Sequence, residues 1–359
     1  MAASRAAENP IIGVGDVRAS EAGFEVVGAF NAGVARYGEE VVMLLRVAER
    51  PVNDDATVVL TAMYDVERGR TVTRAFARDD AENDFSDPRL IVRGKETYLT
   101  SISHLRLARS ADGIHFAIDE RPAIAPANDY EILGIEDPRI TAIEGTYYID
   151  YVAVSPRGVT TCLASTRDFE SFARHGVIFA PENKDVVIFP ERIGGTYYAL
   201  HRPNSPLFSR NDMWIAESPD LLCWGQHRHL MGLRDGAWDE TRIGAGAVPF
   251  RIAEGWLEVY HGADRENRYC LGAVLLDGEE PWRVVGRSAR PIFEPEAEYE
   301  RAGFFGDVVF TCGLLFEEGM LKIYYGAADT VTCYAELPLA DVMATLEDPR
   351  GLRTHPTTC

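Results

Sequence analysis

Apolar residues in this chain come in short, strand-sized runs flanked by turn formers. Examples are Glu40-Val41-Val42-Met43-Leu44-Leu45-Arg46, Thr146-Tyr147-Tyr148-Ile149 and Met320-Leu321-Lys322-Ile323-Tyr324-Tyr325. They are rich in β-branched and aromatic residues, which suit a pleated surface. Helical periodicity is scarce, and the segment around Pro338 to Leu346 is the one fair helix candidate. No run approaches the roughly 20 apolar residues that a membrane-spanning helix needs.

The runs repeat. Asp87-Pro88-Arg89-Leu90 recurs as Asp137-Pro138-Arg139-Ile140, Phe189-Pro190-Glu191-Arg192 follows, and Val248-Pro249-Phe250 and Val309-Phe310-Thr311 are looser versions. After each comes a turn and a run such as Thr97-Tyr98-Leu99, Thr196-Tyr197-Tyr198 or Gly255-Trp256-Leu257. A second pattern, Ala-x-(Ser/Thr)-x-Asp, ends at Asp112, Asp168 and Asp220. Each Asp is expected to accept backbone N–H groups in a tight turn, with Phe116, Phe169 or Phe172, and Trp224 returning to the sheet.

Short strands in a repeated unit near fifty residues describe four-stranded blades, and radial repetition of blades closes a β-propeller. Six inner-strand candidates, the first at Asn31-Ala32-Gly33, allow five or six blades. The choice depends on whether residues 31–80 and 87–120 share one. A β-sandwich with chance similarity is the alternative. No linker or low-complexity tract divides the chain, so one domain over residues 1–359 is expected, with its core at about 28–345.

Polar residues stand where such a fold needs none. Asn31, Asp87, Asp137, Lys184 with Asp185, and Arg242 precede inner strands. Second strands end in Arg46, His104, His201-Arg202, His261 and Asp329. Burying such groups uncompensated is costly, so a site at one mouth of the central channel is expected. Asp137 is the best carboxylate, because Pro138 after it cannot donate to a sheet. Capping a turn, as Asp87 could, is the equal alternative.

Charge sharpens the picture. Lys plus Arg number 36 against 56 Asp plus Glu, a net charge of −20. That argues against a general nucleic-acid binder and against an anionic membrane surface. Within so acidic a chain, Lys184, Arg202, Arg242 and His261 would be explained by convergence on one anion, since Arg binds phosphate bidentately. The local alternative pairs Lys184 with Asp185 and Arg242 with Glu240. Ordinary glycoside hydrolysis uses two carboxylates, and only one obvious carboxylate stands at the centre on this reading. A phosphate nucleophile needs no protein base, so one acid and a cationic cup would suffice.

Six cysteines, at 162, 223, 270, 312, 333 and 359, form no Cys-x-x-Cys pair. They read as reduced, mostly buried thiols rather than a disulfide frame or a zinc site. With no apolar signal core at the N-terminus, a cytoplasmic protein is expected.

The chain resembles the β-mannoside phosphorylases of glycoside hydrolase family 130. The resemblance lies in Phe30-Asn31-Ala32-Gly33, Leu44-Leu45-Arg46-Val47, Gly134-Ile135-Glu136-Asp137-Pro138-Arg139 and Lys184-Asp185-Val186-Val187-Ile188-Phe189-Pro190-Glu191. It continues in Leu200-His201-Arg202-Pro203, Ile243-Gly244-Ala245-Gly246-Ala247-Val248-Pro249, Tyr260-His261-Gly262 and Tyr324-Tyr325-Gly326-Ala327-Ala328-Asp329. These stretches are collinear. The resemblance implies an all-β, five-bladed β-propeller. It also implies cleavage of a β-1,2- or β-1,4-manno-oligosaccharide by inorganic phosphate, giving α-mannose 1-phosphate with inversion. No metal or organic cofactor is implied; phosphate is a co-substrate and the oligosaccharide the other partner.

Asp137 matches the general acid, which in the family passes its proton through the mannose 3-hydroxyl. Lys184, Arg202 and His261 match phosphate ligands, with Arg242 a fourth. Asn31, Arg46 and Asp329 match residues that hold the mannose. Ala32 departs from the family's proline. The stretch from Arg50 to Asp84 resembles an enlarged loop able to shape the leaving-sugar subsite. Hydrolytic relatives lose the cationic cup, so its presence favours phosphorolysis, and general resemblance favours a β-1,2 linkage. A hydrolase on the same fold would need a water-activating carboxylate from Glu136, Glu191 or Asp307. A non-catalytic sugar-binding propeller is a third reading. Exposed blade edges leave a homo-oligomer open.

Overall fold

Five antiparallel sheets of four or more strands carry the fold in the computed structural model, which describes residues 3–204, 207 and 210–348. The first sheet contains Phe24–Tyr37, Glu40–Pro51, Ile102–Ser110 and Ala117–Ile124. The second contains Ile135–Ile143, Thr146–Ser155, Gly158–Thr166 and Ala173–Phe179. Asn183–Ile188, Tyr197–Pro203, Met213–Ser218 and Gly225–Met231 make the third. The fourth runs from Arg242–Ala245 through Gly255–Ala263 and Tyr269–Leu276 to Val284–Ser288, with Leu346–Glu347 on its outer edge. Val309–Glu317, Met320–Ala327 and Val331–Pro338 make the fifth, whose outer strand is Ser4–Arg5.

Strand alternation explains why the apolar runs are continuous. Neighbouring residues face opposite sides of a sheet, and here both sides are covered. Met43 packs with Tyr324 of the fifth sheet, and Leu44 with Ile149 of the second. Ile188 joins Leu163 of the second sheet, while Val187 joins Trp256 of the fourth. Leu257 then joins Ile323 of the fifth. Five apolar clusters thus lie between successive sheets. Phe24–Tyr37 packs against both Val309–Glu317 and Ile135–Ile143, so the first strands of the sheets face inward together. Outer strands are wetter: Gln226 to His229 are exposed.

The repeated Asp turns form as expected. Asp112 accepts from the N–H groups of Ile114 and His115, Asp168 from Glu170 and Ser171, and Asp220 from Leu222 and Cys223. A short helix, Leu339–Met343, occupies the expected segment, and a second, Glu298–Arg301, was not signalled by periodicity. Cys162, Cys270, Cys312 and Cys333 are buried free thiols and Cys223 an exposed one; Cys359 lies outside the described residues. Among the described residues no helix is long and apolar enough to cross a membrane.

Two parts of the repeat reading are corrected. The strands Phe24–Tyr37 and Glu40–Pro51 do share a sheet with Ile102–Ser110 and Ala117–Ile124, but Asp87-Pro88-Arg89 does not open an inner strand. Between Pro51 and Ile102 lie a hairpin, Val58–Asp65 with Arg70–Ala77, and a small sheet of Asn83–Asp84, Leu90–Arg93 and Glu96–Leu99. This insertion is longer than the expected loop. It buries Phe76, Ile91 and Tyr98 against Leu133, Val152 and Val154, beside the second sheet. Pro190 and Pro249 also fall after their inner strands, not inside them as Pro138 does. Aligning on proline therefore placed the later units out of register.

Candidate active site

The true register of the repeat is a backbone feature. The first strands of sheets one, two and three slip register between Phe30 and Gly33, Glu136 and Arg139, and Lys184 and Val187. At each slip sits a left-handed residue: Asn31 at φ 50, Asp137 at φ 49 and Asp185 at φ 52. Asn and Asp tolerate this conformation better than other side-chain-bearing residues. A bulge also re-aims the side chain it carries. All three point into one cavity of about 290 Å³.

That cavity gathers all eight residues that the resemblance matched to site positions: Asn31, Arg46, Asp137, Lys184, Arg202, Arg242, His261 and Asp329. Asp87, His104 and His201 are not among its lining residues. Asp87 caps a turn, accepting from the Arg89 N–H at 2.9 Å. His104 lies beside Glu49 and Arg106, and burial with Arg106 pushes it down to about 3. His201 is buried against Asn183 and His227.

One end of the cavity is built around Asp137. Asn31 Nδ2 and Arg46 Nη1 both donate to its Oδ1, at 2.9 and 2.8 Å. Arg46 Nη2 donates to Glu136 at 2.8 Å, and its guanidinium lies 4.6 Å from the Phe30 ring centre. Burial pushes the Asp137 carboxyl up, but Arg46, Arg139, the Asn31 hydrogen bond and Lys184 outweigh it and hold the group below the ordinary range. Asp329 behaves oppositely: burial pushes it up to about 6, against the pull of Arg46. Gly326 makes room here, since a Cβ would overlap the Asn31 side chain.

The other end is cationic. Arg202 Nη1 lies 2.6 Å from Asp185 Oδ2, too poorly aligned for a hydrogen bond, and His261 Nε2 lies 3.3 Å from the same oxygen. Burial favours a charge-free Asp185, yet Arg202, His261 and Arg139 pull it well below the carboxylate range. Burial lowers His261 despite Asp185, keeping it neutral at neutral pH. Gly244 allows this packing, because a Cβ would strike both Asp185 and His261. The local pairings considered from the sequence do not form. Asp185 pairs with Arg202, Arg139 and His261, and Lys184 makes no ion pair among the described residues. Glu240 pairs with Arg265 at 3.1 Å, and Arg242 donates to the Tyr269 hydroxyl at 2.8 Å.

Buried polar atoms are normally satisfied, yet Arg202 Nε, Arg242 Nε, His261 Nδ1 and Asn31 Oδ1 have no hydrogen-bond partner. They line this one cavity. The unpartnered guanidinium nitrogens suit an anionic, oxygen-rich ligand, and the Asn31 carbonyl suits a hydroxyl donor.

The expectation of a single central carboxylate fails. Glu136, Asp137, Asp185 and Asp329 all line the cavity. Chain neighbours of the recognised residues turn inward too, which spacing along the chain does not reveal. Of the other acids considered, Glu191 lies near Arg251 at 3.5 Å outside the cavity, and Asp307 is not a lining residue. Arg89 was overlooked. It lines the cavity from the insertion, with its guanidinium 4.4 Å from the Phe305 ring centre and its donors on Asp87. A cleft of about 600 Å³ shares Leu90, Leu99, Glu136 and Lys184 with the cavity and is walled by Lys95 to Leu99.

The sequence model of family 130 of the glycoside hydrolases, described as β-1,4-mannooligosaccharide phosphorylase, matches residues 88–348. The chain is 50% identical over 345 residues to a β-1,2-mannobiose phosphorylase of Listeria innocua, covering 95% of this chain and 97% of that protein. It is 39% identical over 244 residues to a 1,2-β-oligomannan phosphorylase of Thermoanaerobacter, covering 67% and 80%. A solved structure of the Listeria innocua β-1,2-mannobiose phosphorylase with β-1,2-mannobiose superposes with a TM-score of 0.94 at 49% identity, covering 96% and 99%.

Proposed function

The chain belongs to glycoside hydrolase family 130, and on that premise we propose that it is an inverting phosphorylase of β-linked mannosides. It moves a mannosyl unit to inorganic phosphate and so acts as a glycosyltransferase by reaction type. The product is α-mannose 1-phosphate. The relatives named above favour a β-1,2-manno-oligosaccharide as substrate. One observation carries the reading: unpartnered buried nitrogens of Arg202, Arg242 and His261 face the same cavity as Asp137.

In this mechanism Asn31, Arg46 and Asp329 hold the mannose. Lys184, Arg202, Arg242 and neutral His261 seat the phosphate. A phosphate oxygen attacks C1 as the C1–O bond to the leaving sugar breaks, and the proton of Asp137 passes through the mannose 3-hydroxyl to the glycosidic oxygen, which leaves with the sugar as a hydroxyl. Asp137 is ionised in the resting cavity, so it must gain a proton first. An arriving phosphate dianion and displacement of the Arg46 and Asn31 hydrogen bonds both raise its proton affinity. Phosphate brings the nucleophile's charge with it, so the chemistry calls for no metal or organic cofactor.

The five sheets are read as the blades of a five-bladed propeller in one domain, supported by the apolar clusters between successive sheets. Free thiols support a reducing compartment such as the cytoplasm.

The test is incubation with β-1,2-mannobiose with and without phosphate. α-Mannose 1-phosphate should form only with phosphate, and Asp137→Asn should abolish turnover while calorimetry still detects phosphate binding. Sugar release indifferent to phosphate would reject phosphorolysis and point to Glu136 as a hydrolytic base.

A further inference from the structure

We propose that Arg139 is the positioning residue of this site: a guanidinium beneath the cavity that holds Asp137 and Asp185 in fixed relation, and so sets the separation of the acid end from the anion end. What that separation is for rests on the phosphorolysis reading.

Arg139 is only 1% exposed and is not a lining residue of the cavity. Its Nε donates to Gly246 O at 3.0 Å, Nη2 to Ala245 O at 3.0 Å and Nη1 to Asp137 O at 3.1 Å. Nη2 also lies 3.7 Å from Asp185 Oδ1, and the guanidinium sits 5.8 Å from the Phe310 ring centre. One planar cation therefore touches four of the five sheets. A planar fork of donors can meet acceptors in several directions, and a lysine ammonium cannot match it.

The two carboxylates need such a tie. Both Asp137 and Asp185 sit at register slips with φ near 50°, where regular strand pairing is interrupted. Ladder hydrogen bonds thus do not define their position, and Arg139 supplies a constraint in their place. Its charge is directed at them. Two further acids lie near it, but burial pushes Asp150 up to about 8 and Glu258 well above the ordinary range, with Arg139 offsetting only part. Asp150 is therefore protonated at neutral pH, and burial opposes the charge on Glu258 as well. Glu258 Oε1 accepts from the Gly246 N–H at 2.8 Å, which braces the carbonyl strand that Arg139 grips.

A residue that merely plugged the channel would need neither charge nor fork. Arg139→Lys keeps the charge without the fork, and Arg139→Gln keeps donors without the charge. A positioning role predicts that folded variants lose kcat by about 100-fold, the cost of misplacing reacting groups by about 1 Å. The KM for phosphate should rise, and the KM for the mannoside should stay within roughly threefold, because ground-state sugar contacts are untouched. Millimolar guanidinium should restore part of the activity of Arg139→Ala.

Folded Lys and Gln variants with wild-type kcat and phosphate KM, losing only thermal stability, would overturn the proposal. So would failure of both to fold together with no guanidinium rescue of Arg139→Ala. Wild type run with and without phosphate separates the two ideas. If its cleavage ignores phosphate, phosphorolysis fails, and Arg139 is judged on the same loss of kcat in that cleavage.

Discussion

Acids within a few residues of one another in space behave differently here because each faces a different balance of burial and cations. Asp137 and Asp185 are held ionised by arginines, Asp329 is pushed up to about 6, and Asp150 to about 8. Asp150 is buried with Oδ2 unpartnered. Its folded-state pKa lies above the ordinary value of 3.8, so its stabilising contribution is complete below about pH 4 and lost as pH rises through about 8. Asp150→Asn should therefore flatten that part of the Tm-against-pH curve and leave the variant more stable than wild type above pH 8. Parallel curves would refute the assignment. The cations divide similarly. Arg242→Ala should raise the phosphate KM roughly 10- to 100-fold, the loss of a charge-assisted hydrogen bond, with Tm little changed. Arg202→Ala should raise it too, but also destabilise by about 3–5 kcal/mol by leaving Asp185 buried with a weakened partner set. Thermal melts beside phosphate kinetics distinguish these outcomes. Asp137 and the four phosphate-side residues were legible because charge in an apolar run is anomalous. Arg89 was not, since the adjacent Asp87 drew attention as the copy of Asp137.

At the level of elements, the bulge and the insertion matter most. Bulges at Asn31, Asp137 and Asp185 place side chains of three separate sheets into one cavity. The sequence signal for them is weak, an Asn or Asp inside a strand pattern, and the proline repeat masked it. The insertion has the same strand composition as a blade, so the sequence left five or six blades open and showed only an enlarged loop from Arg50 to Asp84. Its packing shows a separate unit, because Ile91 and Tyr98 pack beside the second sheet rather than into the apolar clusters between successive sheets. It contributes Leu90, Leu99 and Ser101 to the cavity and one charged group, Arg89, stacked on Phe305. Arg89→Ala should raise the mannoside KM roughly tenfold through loss of a cation contact, while the phosphate KM stays unchanged. Initial rates varied in each substrate separately decide this, and an equal effect on phosphate would move Arg89 to the anion end.

Across the whole molecule, the N-terminal strand ties the first and last parts of the chain together. Ser4–Arg5 pairs with Val331–Pro338, and Arg5 Nε donates to Glu300 Oε1 at 2.8 Å. The Glu300 side chain is fully buried, with Tyr325 and the N–H groups of Glu296 and Ala297 also donating to it. Arg5→Ala should lower stability by about 2 kcal/mol, seen as a lower Tm. Below the transition kcat should be unchanged, because none of these groups lines the cavity. A loss of activity in the folded variant would show that this terminal tie and the site are coupled.

Alternating residue pairs such as Met43 and Leu44, apolar on both faces of a strand, already required sheets covered on both sides, and turn residues already marked where strands end. Those are local properties, written in neighbouring residues. The isolated cations and Asp137 were likewise visible, because a charge among apolar neighbours is costly wherever it folds. Which sheet a strand joined, that four carboxylates and not one share the cavity, and that Arg139 binds several sheets at once were decided only by tertiary packing. Such contacts join residues far apart in the chain, and no local pattern encodes the distance between them.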